Sequence, residues 1–248
     1  MTGELRVIPL RGIPELEEGD DLGALVVESA ERAGGLARGD IVVVAQKALS
    51  KVEGRVLHLD DVEPSERARE LAGAEDARRI EAILQESRRI VRSRPPALII
   101  AETHHGFVCA SAGVDQSNAK GPNTLILLPL DPDASAHRLR EGIRERSGVD
   151  ASVIVSDSFG RPFRRGTTDV ALGVSGLTPL LDLRGRRDST GYELHATEIA
   201  VADEIAGAAE LVMGKTAGVP GAIVRGLELA GDGSGQSLLM PRERDLFR

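Results

Sequence analysis

The stretch that most constrains this chain is Val153-Ile154-Val155-Ser156-Asp157-Ser158-Phe159-Gly160-Arg161-Pro162-Phe163-Arg164-Arg165-Gly166. Three β-branched residues open it and read as a buried strand. A carboxylate, a hydroxyl, a glycine and three arginines follow. A strand end is a rigid support, and the loop after it brings polar groups to a cleft. Asp157 offers oxygen to a hard divalent cation, with Ser158 beside it. Arg161, Arg164 and Arg165 suit phosphate or carboxylate oxygens, which a guanidinium fork grips in pairs. The same residues also fit a plain capped loop with arginines in water. On this stretch alone the two readings stand level.

A buried strand needs neighbours. Short aliphatic runs at 5–10, 41–45, 98–101, 125–130 and 222–227 read as further strands. Residues 107–110 read as a return strand after the turn 102–106, and 167–181 as a buried Gly/Val/Leu-rich stretch. One helix starts after Asp20 or Asp21, with Leu22, Leu25, Val26 and Ser29 at helical spacing, and ends at Gly34-Gly35. Residues 64–93 read as helical, with Ile80, Ile83, Leu84, Ser87 and Val91 on one face and Pro95-Pro96 as the stop. Asp131 caps another helix with Pro132 at its first position, and Gly148 closes it. A last helix spans about 197–212. Residues 182–192 form a charged loop, and 231–235 a loose tail.

The 248 residues make one large domain or two small ones and are enough to bury a core. Aromatics are 2%, so that core is aliphatic, and stacking platforms for single-stranded nucleic acid are not expected. The net charge of −8 brings no overall attraction to nucleic acid or an anionic membrane. Local basic clusters therefore serve small anions, if they serve anything. Cys109 is the single cysteine, so no internal disulfide forms, which fits a reducing cytoplasm. Met1-Thr2-Gly3-Glu4 lacks a basic segment followed by an apolar one, so no secretory signal is expected. No apolar run reaches membrane-spanning length.

Several other residues carry a candidate chemistry beside a bland reading. Lys51 can reach a phosphate as a point charge or stand solvated on the surface. The small polar run 112–118 lets a ligand approach backbone closely, with Asp115 as a second oxygen ligand and Asn118 as a donor to a nucleotide. The same run also suits an Asx turn. His104 and His105 are adjacent, so they point apart and read as surface histidines. Residues 209–216 meet a relaxed P-loop pattern, with Ala209 in the place of the first glycine. A P-loop runs strand, turn, helix, whereas the order here is helix, turn, strand, so that reading fails. The glycine-rich turn can still touch phosphates through backbone amides.

Together these pieces resemble the coenzyme F420-0:γ-glutamyl ligase family. The resemblance is carried by Gly12-Ile13-Pro14, Glu18-Gly19-Asp20-Asp21-Leu22, Ser50-Lys51-Val52-Glu53-Gly54-Arg55, Ala112-Gly113-Val114-Asp115-Gln116-Ser117-Asn118 and Leu130-Asp131-Pro132-Asp133. It continues through Ser156-Asp157-Ser158-Phe159-Gly160-Arg161, Val201-Ala202-Asp203-Glu204-Ile205-Ala206 and Val224-Arg225-Gly226. The motifs recur in family order over nearly the full length. Each is weak alone, and the ordered set is specific.

The resemblance implies an α+β fold peculiar to the family, with mixed sheets and helices, as a two-lobed monomer in an intertwined homodimer. It implies a cytoplasmic ligase that uses GTP and a divalent metal, Mg²⁺ or Mn²⁺, to add L-glutamate to the deazaflavin precursor F420-0. Asp115, Asp157 and Ser158 match metal ligands. Lys51, Asn118 and the turn Ile13, Pro14, Glu15, Leu16 match GTP contacts, and Gln46 is assigned to the nucleotide at a position where it departs from the family. Met213, Gly214, Lys215, Thr216, Ala217, Gly218 and Val219 match a nucleotide loop. Arg161, Arg164 and Arg165 are assigned to the phosphate or carboxylate of the substrate, on their chemistry rather than on the family.

Three departures matter. Archaeal members carry a glutamate metal ligand near Lys215, so a second metal loses a ligand here or the lysine itself neutralises phosphate. Ser or Thr is common in the family where this chain has Gln46 and Lys47. Some bacterial relatives fuse a reductase-like domain, for which a chain ending at Arg248 leaves no room. Two rival functions remain: another metal-dependent nucleotide-using acid–amine ligase or phosphotransferase on the same scaffold, and a non-catalytic GTP-binding regulator.

Overall fold

The computed structural model describes residues 4–94 and 98–246. The readings made at Met1 to Gly3, at the Pro95-Pro96 stop and at Arg248 lie outside these residues. In chain order the elements are β1 (Arg6–Pro9), α1 (Leu22–Arg32), β2 (Ile41–Ala45), α2 (Gln46–Val52), β3 (Val56–His58), α3 (Glu66–Ala72), α4 (Ala77–Gln85), β4 (Ser87–Arg94) and β5 (Leu98–Thr103). There follow β6 (Val108–Ala110), β7 (Thr124–Ile126), α5 (Pro132–Ser147), β8 (Ser152–Gly160), β9 (Thr167–Ser175), β10 (Leu181–Asp182), β11 (Glu198–Ile199), α6 (Val201–Met213) and β12 (Gly221–Arg225). This is an α+β fold with mixed and antiparallel sheets.

The main sheet has the order β1-β12-β2-β8-β9. Only β2 and β8 run parallel in it; the other pairs are antiparallel. Its central strands are aliphatic throughout because both faces are covered. Val42, Val44, Val153 and Val155 face α1, α2 and α5. Ile41, Val43 and Ile154 face α6 on the other side. Each such buried aliphatic side chain stabilises by about 1.5–3 kcal/mol relative to exposure. Asp21 and Asp131 cap α1 and α5, accepting from the amides of Ala24 and Ala134 at 2.9 and 3.0 Å. Gly173 lets α5 reach the sheet, since a Cβ there would lie 2.3 Å from the Pro132 carbonyl. The fully buried Asp40, at the entrance to β2, pairs with Arg225 at 2.7 Å, and breaking this pair would cost about 3–5 kcal/mol.

The path from β2 to β8 makes a long excursion that builds a separate core. Leu59, Ala68, Ile80, Ile83, Ile99, Ala101, Val114 and Leu125 pack together there, beside the sheet β4-β5-β6 and the pair β3-β7.

Two expectations are corrected. The stretch 64–93 is not one helix: it splits into α3 and α4, and β4 follows as a strand paired antiparallel with β5. Gly73 breaks the helix with a φ of +57°, and Asp76 starts the next one by accepting from the Arg78 amide. Ile90 and Val91 fit either period, and pairing with a distant strand decides. The 231–235 tail is not loose either. Asp133 accepts from the Gly235 amide at 2.8 Å and from the Ser234 hydroxyl at 2.6 Å, which fixes the tail against β9 and the start of α5. Among the described residues no helix is long and apolar enough to cross a membrane.

Candidate functional site

Parallel pairing places Ala45 beside Ser156, so β2 and β8 deliver their next residues to the same edge. Beyond Ala45 the chain turns into α2, whose first residues are Gln46 and Lys47. Beyond Ser156, β8 runs on through Asp157 and Ser158. A cavity of about 580 Å³ opens at this edge, a size suited to a small-molecule ligand. Its walls come from four places distant in sequence: the turn before α1, the strand ends with the start of α2, the 118–120 turn, and the end of α6 with the turn before β12.

The fold brings most of the sequence candidates to this cavity. Ile13, Pro14, Glu15, Leu16, Gln46, Lys51, Asn118, Asp157, Ser158, Met213, Gly214, Lys215, Thr216, Gly218 and Val219 all line it. Ala217 is in the same turn but is exposed and not part of the wall. Asp115 is likewise not a lining residue; it connects to the cavity through Lys47, whose ammonium lies 2.7 Å away. Arg161, Arg164 and Arg165 do not line the cavity either. They occupy the β8–β9 turn, where Arg161 donates to the Arg165 carbonyl at 2.9 Å. His104 is exposed as a surface histidine and His105 is half-buried; both bond backbone carbonyls. The segment from α6 to β12 runs helix, turn, strand, as required for rejecting a P-loop.

Sequence reasoning missed Asp169. It lies opposite Ser158 in the β8–β9 ladder and is buried. Ser156 and Ser158 donate their hydroxyls to its two oxygens at 3.0 and 2.6 Å. Ser158 therefore turns its proton away and keeps its lone pairs available. An aspartate at the head of a Val/Ala/Leu/Gly run was the available signal, because carboxylates are almost never fully buried without partners. Glu210 and Lys120 also line the cavity and were not singled out.

The electrostatics of the cavity are uneven. Lys47, Lys51, Lys120 and Lys215 face it, and three of them are paired: Lys47 with Asp115, Lys51 with Glu15 and Lys120 with Glu17. Burial pushes the Asp157 carboxyl up to about 7, and the like charges of Asp169 and Asp115 add to that push. The Ser158 amide and the Lys47 ammonium pull the other way without prevailing. Burial also opposes ionisation of Asp115. Lys47 and the Ser117 amide and hydroxyl outweigh it there and hold that carboxyl below its usual range.

Among the described residues no three carboxylate, imidazole or thiol groups form a cation cage of their own. Asp157 and Ser158 at the cavity, with Asp115 behind Lys47, would offer a partial set of hard oxygen donors. That suits a Mg²⁺-type ion, which is bound through one or two carboxylates and completed by substrate phosphates and water. Gln46 adds a second fit. It is fully buried beside the cavity, its Oε1 accepts from Ser50 at 2.8 Å, and its Nε2 finds no protein acceptor. An orphan buried donor of this kind is unfavourable until an acceptor reaches it.

The signature of the F420-0:gamma-glutamyl ligase family matches residues 12–226. The chain is 43% identical to the coenzyme F420:L-glutamate ligase of Methanothermobacter thermautotrophicus, over 98% of this chain and 99% of that protein. It is 45% identical to the protein of the same name from Methanopyrus kandleri, over 98% of each. It is 41% identical to the one from Archaeoglobus fulgidus, over 98% of this chain and 96% of the relative.

Proposed function

The chain belongs to the F420-0:gamma-glutamyl ligase family, and from that premise we propose that it is a GTP-dependent ligase joining L-glutamate to F420-0. Near full-length similarity to three ligases of one name carries the reading. The cavity supports it, because lysines and carboxylates meet there beside the buried Gln46 Nε2, which has no protein acceptor.

A carboxylate does not condense with an amine until its oxygen becomes a leaving group. In the proposed course a carboxylate oxygen of the precursor attacks the γ-phosphorus of GTP, and GDP leaves. The acyl phosphate is then attacked at carbon by the glutamate amine. Phosphate departs with the C–O bond pair, and one amine proton is released to phosphate or water. Both steps crowd negative charge, and fixed cationic groups stabilise such charge as it develops.

Lys51 and Lys215 would face the polyphosphate, and Gln46 and Asn118 would donate hydrogen bonds to the nucleotide. Asp115, Asp157 and Ser158 would hold Mg²⁺ or Mn²⁺, which when bound polarises phosphoryl oxygens. Asp169 fixes the Ser158 hydroxyl. Arg161, Arg164 and Arg165 would meet the anionic groups of the precursor. An intertwined homodimer with the site in its groove would carry the exposed arginine turn toward a neighbouring subunit's substrate.

Incubation with F420-0, GTP, L-glutamate and Mg²⁺ or Mn²⁺ tests this by mass spectrometry. Added glutamyl masses are expected, with stoichiometric GDP and phosphate, and none with Asp157→Ala. An unchanged precursor from folded protein that still binds GTP would overturn the reading in favour of another acceptor. GTP binding without turnover under any combination of substrates would point to a regulator.

A further inference from the structure

We infer that Lys47 is a positioning residue that occupies Asp115 in the nucleotide-free protein and moves to phosphate only when a metal–nucleotide complex enters. The cation is then taken together with the nucleotide rather than before it. This rests on the reading of the cavity as a metal–nucleotide site.

Three acceptors surround the Lys47 ammonium: Asp115 Oδ2 at 2.7 Å, the Ser117 carbonyl at 3.0 Å and the Ser117 hydroxyl at 2.5 Å. An ammonium has three donors, so this one is saturated. Its side chain is only 14% exposed. It starts from the first turn of α2, at the end of β2, and spans to the 115–117 turn, which belongs to the excursion between β2 and β8. The same lysine also lines the cavity.

A free divalent cation approaching Asp115 meets a carboxylate that already has its counter-charge. Binding there would leave a partly buried ammonium with only the neutral acceptors of Ser117 and no counter-charge, which is unfavourable. A nucleotide changes this balance. Its phosphates give Lys47 a new acceptor, and the vacated Asp115 turns to the cation. Each ligand therefore helps the other, and by linkage the help is reciprocal. A lysine that served only to pin two segments together would also compete with the cation but would add nothing to nucleotide binding.

The test is Lys47→Met, compared with the wild-type chain by calorimetric titration of Mn²⁺ in the absence of nucleotide, above neutral pH. The variant is expected to bind Mn²⁺ about tenfold more tightly, within the usual range of coupling between sites. A non-hydrolysable GTP analogue, titrated at saturating Mn²⁺, should bind the variant about tenfold more weakly. Lys47→Gln should move both affinities in the same directions, and it serves if Lys47→Met does not melt cooperatively. Unchanged or weaker Mn²⁺ binding in the folded variants would overturn the inference, as would tight wild-type Mn²⁺ binding without nucleotide. If wild-type protein makes no glutamylated product yet both shifts appear, the ligase reading falls and the role of Lys47 stands.

Discussion

The β8–β9 hairpin carries two polar clusters that differ in every physical respect. At its base Ser156 and Asp169 are buried, and Ser156, Ser158 and Asp169 bond one another across the ladder. At its tip the residues around Phe163 are exposed; Phe163 itself is 91% exposed and has a φ of +60°. Arg161 bonds back to its own loop, and Arg164 and Arg165 are open to solvent. The base is organised by the fold before any ligand arrives. The tip has the chemistry of an anion site without a wall to hold the anion. Preorganised groups lower a barrier, whereas exposed ones mainly steer and bind. In the proposed reaction the base therefore belongs to the phosphoryl chemistry and the tip to capture of the precursor.

The largest expected difference is in pH dependence. Asp157 titrates near 7 because burial and two neighbouring carboxylates disfavour its charge. A cation binds the ionised form, so Mn²⁺ affinity measured with the GTP analogue should fall about tenfold per unit as pH drops below 7. It should be level above that. Stability of the ligand-free chain runs the opposite way. An aspartate unfolded at about 3.9 and folded near 7 holds more protons in the folded state between those values. Its contribution is then lost as pH rises from about 4 to 7. Asp157→Asn should flatten both profiles. Calorimetry and thermal melts across this range check them, and a sloped Mn²⁺ profile in Asp157→Asn would move the titrating group elsewhere.

The tip should show none of that dependence, since guanidinium groups stay charged throughout. Arg164→Ala is expected to raise KM for the precursor about tenfold, which is about 1.4 kcal/mol of binding. Its kcat and melting temperature should barely change, because the residue is exposed. Steady-state kinetics with the precursor varied at saturating GTP and glutamate decide the point. A drop in kcat at constant KM would erase the distinction between tip and base.

What the sequence alone revealed follows from where each interaction lies along the chain. The strands β2 and β8, the caps Asp21 and Asp131, and the helix–turn–strand order at 201–225 are local, and their patterns were legible. The gathering of Ile13, Lys51, Asn118, Asp157 and the turn after α6 at one cavity was legible only through resemblance, because no local period joins residues so far apart. The strand β4 was hidden because Ile90 and Val91 satisfy both periods and its partner β5 decides. Asp169 was hidden because its partners Ser156 and Ser158 lie on the neighbouring strand, although the apolar run after it is what makes a carboxylate there informative. The pairing of Lys47 with Asp115 spans 68 positions of sequence and two separate cores, and a lysine's reach cannot be read from its neighbours.

The smallest expected effect divides the base itself. Ser156 and Ser158 both donate to Asp169, but only Ser158 is proposed to offer its oxygen to the cation. Ser156→Ala removes a buried donor from the carboxylate and should lower the unfolding free energy by about 1 kcal/mol. Turnover should stay within about twofold, since no proposed transition-state contact is lost. Denaturant unfolding and kcat measured on the same preparation check both numbers. Ser158→Ala, with a similar structural cost, should lose turnover and Mn²⁺ affinity together. If Ser156→Ala loses as much turnover as Ser158→Ala, the orientation of Asp169 governs catalysis rather than the lone pairs of Ser158, and Asp169 becomes the group to move next.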